Sequence, residues 1–367
     1  MKREREQERL PIVVYGATGF TGRLVAAELV RRRVPFALAG RDPAKLAALV
    51  GALGRPVETM VAALDAPAEL ERMAARARVV LDCAGPFIRY GRAVQDAALA
   101  ARSHFLDITG EADYMLSTRA RDAEARSAGV ALINAVGFDV VPTDAAAVLA
   151  SEAAGAPIQE LRIAFATRGG RPTQGTTRSA LLGAPHGGMA YVDRTYRVEP
   201  VGSRRWEAPF PEPIGRRMCV SVPWGDLATA PRSTGAASVR TYMAVPPRLL
   251  RWLPFAGPGA RLLGLGPMRR LAERWVSTLP EGPSEEERAR SRFAVYAEAR
   301  GREGTRAVWV TGGDGYDFTA SAAAWCAEAA AAPDFAGCGA LTPSQAFGAR
   351  RMLEALEPTG VRWGQAS

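Results

Sequence analysis

The chain has 367 residues and a formal charge of +9, from 47 Lys+Arg against 38 Asp+Glu, and Lys2 and Lys45 are its only lysines. With no lysine beyond Lys45, neither a Schiff-base lysine nor the Tyr-x-x-x-Lys pair of short-chain dehydrogenases can be built. Two histidines, His104 and His186, exclude a three-histidine metal site, no metal is expected, and four cysteines without a C-x-x-C spacing fit a reducing cytosol.

Residues 1–10 alternate charges and read as a solvated tail without the apolar region of a secretory signal. From 11 to about 136, short β-branched runs alternate with Ala- and Leu-rich helical patterns. The strands fall at 12–15, 36–39, 57–61, 79–82, 104–108 and 130–133, with helices near 20–33, 43–53, 67–77, 91–102 and 113–128. This is the pattern of an α/β fold, a Rossmann-like doubly wound parallel sheet. The first domain is drawn as 11–142. After a helix at 143–152 the texture changes to Gly- and Pro-interrupted strands at 161–165, 218–222, 238–242, 293–299 and 307–311. An inserted α+β second domain is drawn as 143–340, and 341–367 as a C-terminal helix, over 343–356, returning to the Rossmann domain. No uncharged apolar run reaches about 18 residues, so no membrane span is expected. The stretch 252–268 carries Arg261 and is broken by Pro254, Pro258 and Pro267, which suits lying on a membrane rather than crossing it. The expected location is cytoplasmic, with a peripheral membrane association left open.

Strand 12–15 runs into Gly16-Ala-Thr18-Gly19-Phe20-Thr21-Gly22 and then a helix. Glycines there serve a tight turn, close backbone approach to a pyrophosphate and helix–strand packing, with the helix N-terminus facing the phosphates. A plain tight turn is the competing reading, but the strand–loop–helix context favours a dinucleotide. At the end of the second strand, Gly40-Arg41-Asp42-Pro43, Arg41 holds the discriminating place, with Lys45 one turn on. Asp42 followed by Pro43 reads as a helix N-cap rather than a ribose-binding acid. NADP is therefore the expected cofactor.

Ligands of open parallel sheets bind outside the carboxyl ends of the strands. The loops expected at the nicotinamide are Cys83-Ala84-Gly85-Pro86 with Tyr90-Gly91, Thr109-Gly110-Glu111, and Gly137-Phe138-Asp139 with Pro142 and Asp144. Together with Gly16–Gly22 and Gly40-Arg41, these motifs resemble the saccharopine dehydrogenase-like reductases, and most of all their bacterial trans-acting enoyl reductase branch. The likeness covers 12–144 well and 280–320 loosely. It implies an NADPH-dependent reductase with a Rossmann domain and an inserted α+β domain, acting on C=C bonds of acyl chains or C=N bonds of imines. The cofactor-binding set is Gly16, Thr18, Gly19, Phe20, Thr21, Gly22, Gly40, Arg41, Lys45, Asp65, Ala84, Gly85, Pro86, Gly110, Glu111 and Phe138.

Hydride transfer needs a proton donor. Tyr90 is the first candidate, against a Tyr packed under the cofactor. Asp139 is the second, against an N-cap for the helix near Pro142; Asp144 and Glu111 carry similar helix-start readings. His186, in a Gly-rich loop, is the third. His104 reads as structural, Cys83 as a buried thiol, and 176–179 as a helix cap.

The charge is localised: residues 194–275 hold fourteen arginines against five acids, and the remainder is neutral. Interleaved Trp206, Trp224, Trp252, Phe255, Leu262, Leu263, Leu265 and Trp275 suggest a surface for an acidic carrier protein or an anionic membrane. A solvated face is the competing reading, and no nucleic-acid module is present. The expected substrate is a small or acyl-carrier-bound molecule, and a homodimer is the base-rate expectation. Three functions follow: an enoyl reductase of polyketide or lipid metabolism, an imine reductase of amino-acid conjugates, or a non-catalytic NADP-binding interaction protein.

Overall fold

Short β-branched runs bounded by helix caps give the first part of the chain its layout. In the computed structural model, residues 9–183, 187–250 and 266–366 are described. Contacts divide the chain into two units: the first holds the chain up to Thr109, Asp113–Phe138 and Tyr316–Phe347; the second holds Gly110–Ala112, Asp139–Gly315 and Gly348 onward.

In the first unit, β1 (Leu10–Tyr15), α1 (Phe20–Arg31), β2 (Phe36–Gly40), α2 (Pro43–Leu53), β3 (Glu58–Val61), α3 (Pro67–Ala75), β4 (Ala77–Asp82), α4 (Phe87–Ala100) and β5 (His104–Asp107) follow in turn. After α5 (Ala112–Arg119) and α6 (Asp122–Ala128) comes β6 (Ala131–Ile133). The strands form a parallel sheet with β1 between β2 and β4, so the order reverses there. Such a switch point opens a ligand crevice at the carboxyl ends of the strands. Ile12, Leu38, Leu81, Leu106 and Ile133 are fully buried, and this burial on both faces is why the strands read as continuous apolar runs. The single helix expected over 113–128 is two helices, with Arg121 at the junction. Its guanidinium is drawn inward to Gln95 Oε1 at 2.6 Å.

The second unit begins with α7 (Val141–Ala154), β7 (Glu160–Arg168), α8 (Gln174–Gly183), β8 (Met189–Val192), β9 (Thr195–Val198), β10 (Arg205–Pro209), β11 (Arg216–Ser221), α9 (Asp226–Thr234) and β12 (Ser238–Ala244). The helices α10 (Gly266–Thr278) and α11 (Glu285–Arg290) precede the hairpin β13 (Arg292–Gly301) and β14 (Gly304–Gly312). The sheet runs β10-β11-β12-β7-β13-β14, with the β8–β9 hairpin attached to β12. Helix α7 packs across β13, β14 and β7. The turn at 301–304 falls as its Gly-Arg-Glu-Gly sequence predicts, with Gly304 at φ +91°.

The C-terminal expectation requires correction. The chain re-enters the first unit earlier than 341, through α12 (Gly315–Ala331), β15 (Gly339–Leu341) and α13 (Pro343–Phe347). Strand β15 pairs parallel with β6 as the seventh strand of that sheet. Residues 348–367 instead belong to the second unit. There α14 (Ala349–Leu356) buries Met352, Leu353 and Leu356 and packs on α7. Strand β16 (Arg362–Ala366) pairs antiparallel with β14 and satisfies its edge. The chain also passes into the second unit at 138/139 rather than 142/143, and visits it briefly over Gly110–Ala112.

Candidate cofactor and proton-donor site

The loop after β1 is built without room for side chains. Gly16 lies at φ +71°, and a Cβ there would meet Ala84 Cβ and N at 2.8 Å. A Cβ on Gly22 would overlap the Gly16 carbonyl oxygen and come within 2.8 Å of Ala17 Cα. Helix α1 therefore presses its first turn against the loop, which is the packing these glycines predict. Gly19, its N-cap, has no side-chain capping bond. Helix α2 contrasts with it: Asp42 Oδ1 accepts from Ala44 N at 3.0 Å and Lys45 N at 3.1 Å, with Pro43 in the first turn. Asp42 is thus committed to its helix, whereas the α1 terminus presents the dipole end suited to an anion.

Arg41 and Lys45 are exposed just beyond β2, and Asp65 just beyond β3. Both Arg41 and Asp65 act on the Tyr15 hydroxyl, which donates to the Ala62 carbonyl at 3.2 Å. Burial is the main cause of that phenol's raised pKa. These residues fit the phosphorylated dinucleotide: the α1 terminus would hold the pyrophosphate, and Arg41 with Lys45 the 2′-phosphate. Phe20 packs edge-on to Tyr316 at 5.4 Å. Phe138 N donates to Thr319 Oγ1 at 3.0 Å and its ring meets Phe318 at 6.3 Å, pinning the loop after β6 to α12.

Two carboxyls face each other at the ends of β4 and β5, where Asp82 and Asp107 are register partners and both fully buried. Three donors converge on Asp107: Asn134 Nδ2 at 2.6 Å, Ala135 N at 2.9 Å and Thr109 N at 3.1 Å. Ala135 takes φ +62° to do so, an uncommon conformation for a residue with a Cβ. Asp82 Oδ1 accepts from Ala84 N at 2.8 Å, while Oδ2 has no partner among the described residues. Burial pushes the Asp82 carboxyl well above the usual range, against the lowering pull of the Ala84 N–H, and Asp107 pushes it further the same way. The Cys83 thiol is likewise pushed up, by burial and then by both carboxyls.

In the second unit, Asp139 does not cap α7, whose N-cap is Val140. Its carboxyl instead lies on Gly110, where any Cβ would overlap Oδ2. The Asp139 carbonyl accepts from Trp224 Nε1 at 2.7 Å. Burial, and then the negative charge of Glu111, raise the Asp139 carboxyl to about 6. Ser179 Oγ donates to Glu111 Oε1 at 2.7 Å. Asp144 accepts from Ser233 Oγ at 2.6 Å. Burial raises the pKa of fully buried Asp226 strongly, and the Thr143 hydroxyl nearby offsets that rise only in part.

The sequence candidates thus separate. Gly110, Glu111 and Asp139 come together, 29 residues apart at the extremes, and Ser179 joins them. Tyr90 lies on the first turn of α4 and is 38% exposed. His186 lies outside the described residues, as do Trp252, Phe255, Leu262, Leu263 and Leu265. His104 is structural: Ala131 N donates to its Nδ1 at 3.0 Å, its ring packs on Phe335, and burial lowers its pKa to about 4. Residues 176–179 lie within α8 rather than capping it, and Thr173 Oγ1 accepts from Thr176 N at 3.1 Å. Trp206 and Trp224 are half-buried: Trp206 packs on Tyr242 at 5.4 Å and Trp224 on Phe165 at 4.4 Å. Sequence reasoning missed Ser179 as the partner of Glu111. It also missed the Asp82–Asp107 pair, whose one signal was an aspartate closing two successive strands.

Residues 12–133 match the family model described as the saccharopine dehydrogenase NADP binding domain. Over 144 residues the chain is 38% identical to the trans-acting enoyl reductase of Mycobacterium ulcerans, covering 38% of this chain and 34% of that one. Over 157 residues it is 36% identical to the saccharopine dehydrogenase-like oxidoreductase of Mus musculus, covering 38% of this chain and 37% of that one. The similarity thus spans little more than a third of these relatives. In fold, the chain is similar to saccharopine dehydrogenase (L-Glu forming) from Saccharomyces cerevisiae, with a TM-score of 0.67 over 97% of this chain and 99% of that one, at 14% identity. With the glycine loop, the uncapped α1 terminus and Arg41 in place, the cofactor is NADP, and residues 12–133 carry the likeness to the saccharopine dehydrogenase NADP-binding domain.

Proposed function

We propose that the chain is an NADPH-dependent oxidoreductase that reduces the activated C=C bond of an enoyl thioester. The cofactor domain supports the oxidoreductase class, and the name of the Mycobacterium ulcerans relative supports an enoyl substrate. The observation that carries the chemistry is Asp139, a carboxyl raised to about 6 beside Glu111. In sequence it directly follows Phe138, the last residue of the loop that leaves β6, and loops at the carboxyl ends of such strands are where a dinucleotide's reactive ring is expected.

NADPH, held by the α1 terminus with Arg41 and Lys45, would supply the hydride that the β-carbon of the enoyl group takes up. Asp139 gives its proton to the α-carbon, where negative charge develops, and recovers one from solvent. Glu111, held by the Ser179 hydroxyl, keeps that proton on Asp139 closer to neutral pH. The two neighbouring carboxyls also favour a neutral acyl chain over an amino-acid conjugate that brings carboxylates of its own. The test is NADPH oxidation by the purified chain against enoyl thioesters of graded length, and separately against keto acids with amines. Turnover with the thioesters, one NADPH per double bond lost, supports the proposal. Turnover only with keto acid and amine replaces C=C with C=N reduction, and tight NADPH binding without turnover on either panel refutes catalysis.

A further inference from the structure

Helix α10 reads GPMRRLAERWVST. At 3.6 residues per turn, Met268, Leu271 and Trp275 fall within an arc of about 60°. They are 43%, 62% and 60% exposed. This is not the face that the helix packs inward: α10 packs against α8, and its buried residue is Val276. The helix therefore buries one apolar strip and leaves a second in solvent. On the far side of that second strip stand Arg270 and Arg274, both exposed. Glu273, the helix's one acid, lies 3.9 Å from Arg269.

We propose that α10 is a docking surface for an anionic phospholipid bilayer, with Met268, Leu271 and Trp275 entering the headgroup–acyl boundary and Arg270 and Arg274 meeting lipid phosphates. Trp and Leu on one face with Arg beside them is the composition of a helix lying in a membrane interface. Charge complementarity selects the sign of the surface, because the chain's whole excess of positive charge falls in residues 194–275, the stretch of sequence that ends in this helix. Three apolar side chains on one convex helix offer far less than the ~1,000 Å² a specific protein interface buries. A bilayer needs only such a strip and its basic flank. With 13 residues, α10 lies on the surface and does not span it.

The test is co-sedimentation of the full chain with vesicles of phosphatidylcholine alone and of phosphatidylcholine with about a third phosphatidylserine. Binding is expected to the mixed vesicles, to weaken severalfold as salt rises, and to fall roughly tenfold or more in Leu271→Ser/Trp275→Ser. Arg270→Gln/Arg274→Gln should narrow the difference between the two vesicles, and NADPH affinity should hold in every variant. Absence of binding to the mixed vesicles overturns the proposal, as does equal binding by Leu271→Ser/Trp275→Ser. Binding instead to an acidic acyl carrier protein, lost in the arginine variant while vesicles are ignored, overturns it in favour of a protein partner.

Discussion

Replacing Glu111 by Gln removes the charge beside Asp139 while keeping a group that can still meet Ser179. The Asp139 carboxyl stands at about 6, against 3.8 for an ordinary aspartate, with burial the larger cause and Glu111 the smaller. An acid that must carry its proton into the transition state works below its pKa and fails above it. Turnover should therefore be level below pH 6 and fall about tenfold per pH unit above. Because Glu111 contributes the smaller part of a rise of about two, Glu111→Gln should move that fall to lower pH by less than about one unit. At pH 7 this costs up to about tenfold in kcat, and at pH 4.5 almost nothing. Asp139→Asn should lose on the order of 10²- to 10⁴-fold below pH 6, a gap that narrows as the unsubstituted enzyme loses its own proton above it. The assay is kcat against pH with saturating NADPH and an enoyl thioester. A profile that Glu111→Gln leaves in place or moves to higher pH, or an Asp139→Asn enzyme near full activity, would refute the assignment.

Arg41→Ala should weaken NADPH by about 10- to 100-fold, the scale of a hydrogen bond to a charged group, with little effect on NADH; equal losses by fluorescence titration would exclude a 2′-phosphate contact. Gly22→Ala forces a methyl into the Gly16 carbonyl and should abolish measurable NADPH binding, with ~1–3 kcal/mol lost in denaturant unfolding. Asp226→Asn should stabilise the fold at alkaline pH. A carboxyl whose pKa the fold raises supports folding below its unfolded value, and that support disappears as pH rises through the folded one. The gain in Tm, a few degrees for ~1 kcal/mol, should be larger at pH 8 than at pH 4, and a pH-independent gain would contradict a buried carboxyl whose pKa the fold raises.

Most strands of the Rossmann sheet were legible because buried parallel strands are written as unbroken apolar runs such as Ile12-Val-Val, and the exposed edge strand β3 by its β-branched Thr59 and Val61. The seventh, Gly339-Ala-Leu341, is three residues long and draws its identity from pairing with β6, which no local pattern encodes. Strand β10, Arg-Trp-Glu-Ala-Pro, hides likewise, since Arg205 and Glu207 are exposed and its partner β11 supplies the order. The glycine loop and the Asp42 cap were legible because their chemistry is local. Asp139 was legible only as one of three proton-donor candidates, because Asp followed closely by a helix also reads as an N-cap, and only the fold brings its carboxyl onto Gly110. The pairing of Asp82 with Asp107 depends in the same way on strand register.

The chain passes between its two units at 109/110, 112/113, 138/139, 315/316 and 347/348. No single cut can therefore release either unit whole: a cleavage anywhere from Asp139 to Gly315 leaves β15 on one fragment and the glycine loop on the other. A gene truncated after residue 315 would encode a cofactor sheet with its last strand missing and an α+β sheet robbed of its edge at β16. The halves of this protein are inseparable as segments of sequence, and an engineer wishing to exchange one of them must splice at two places at least.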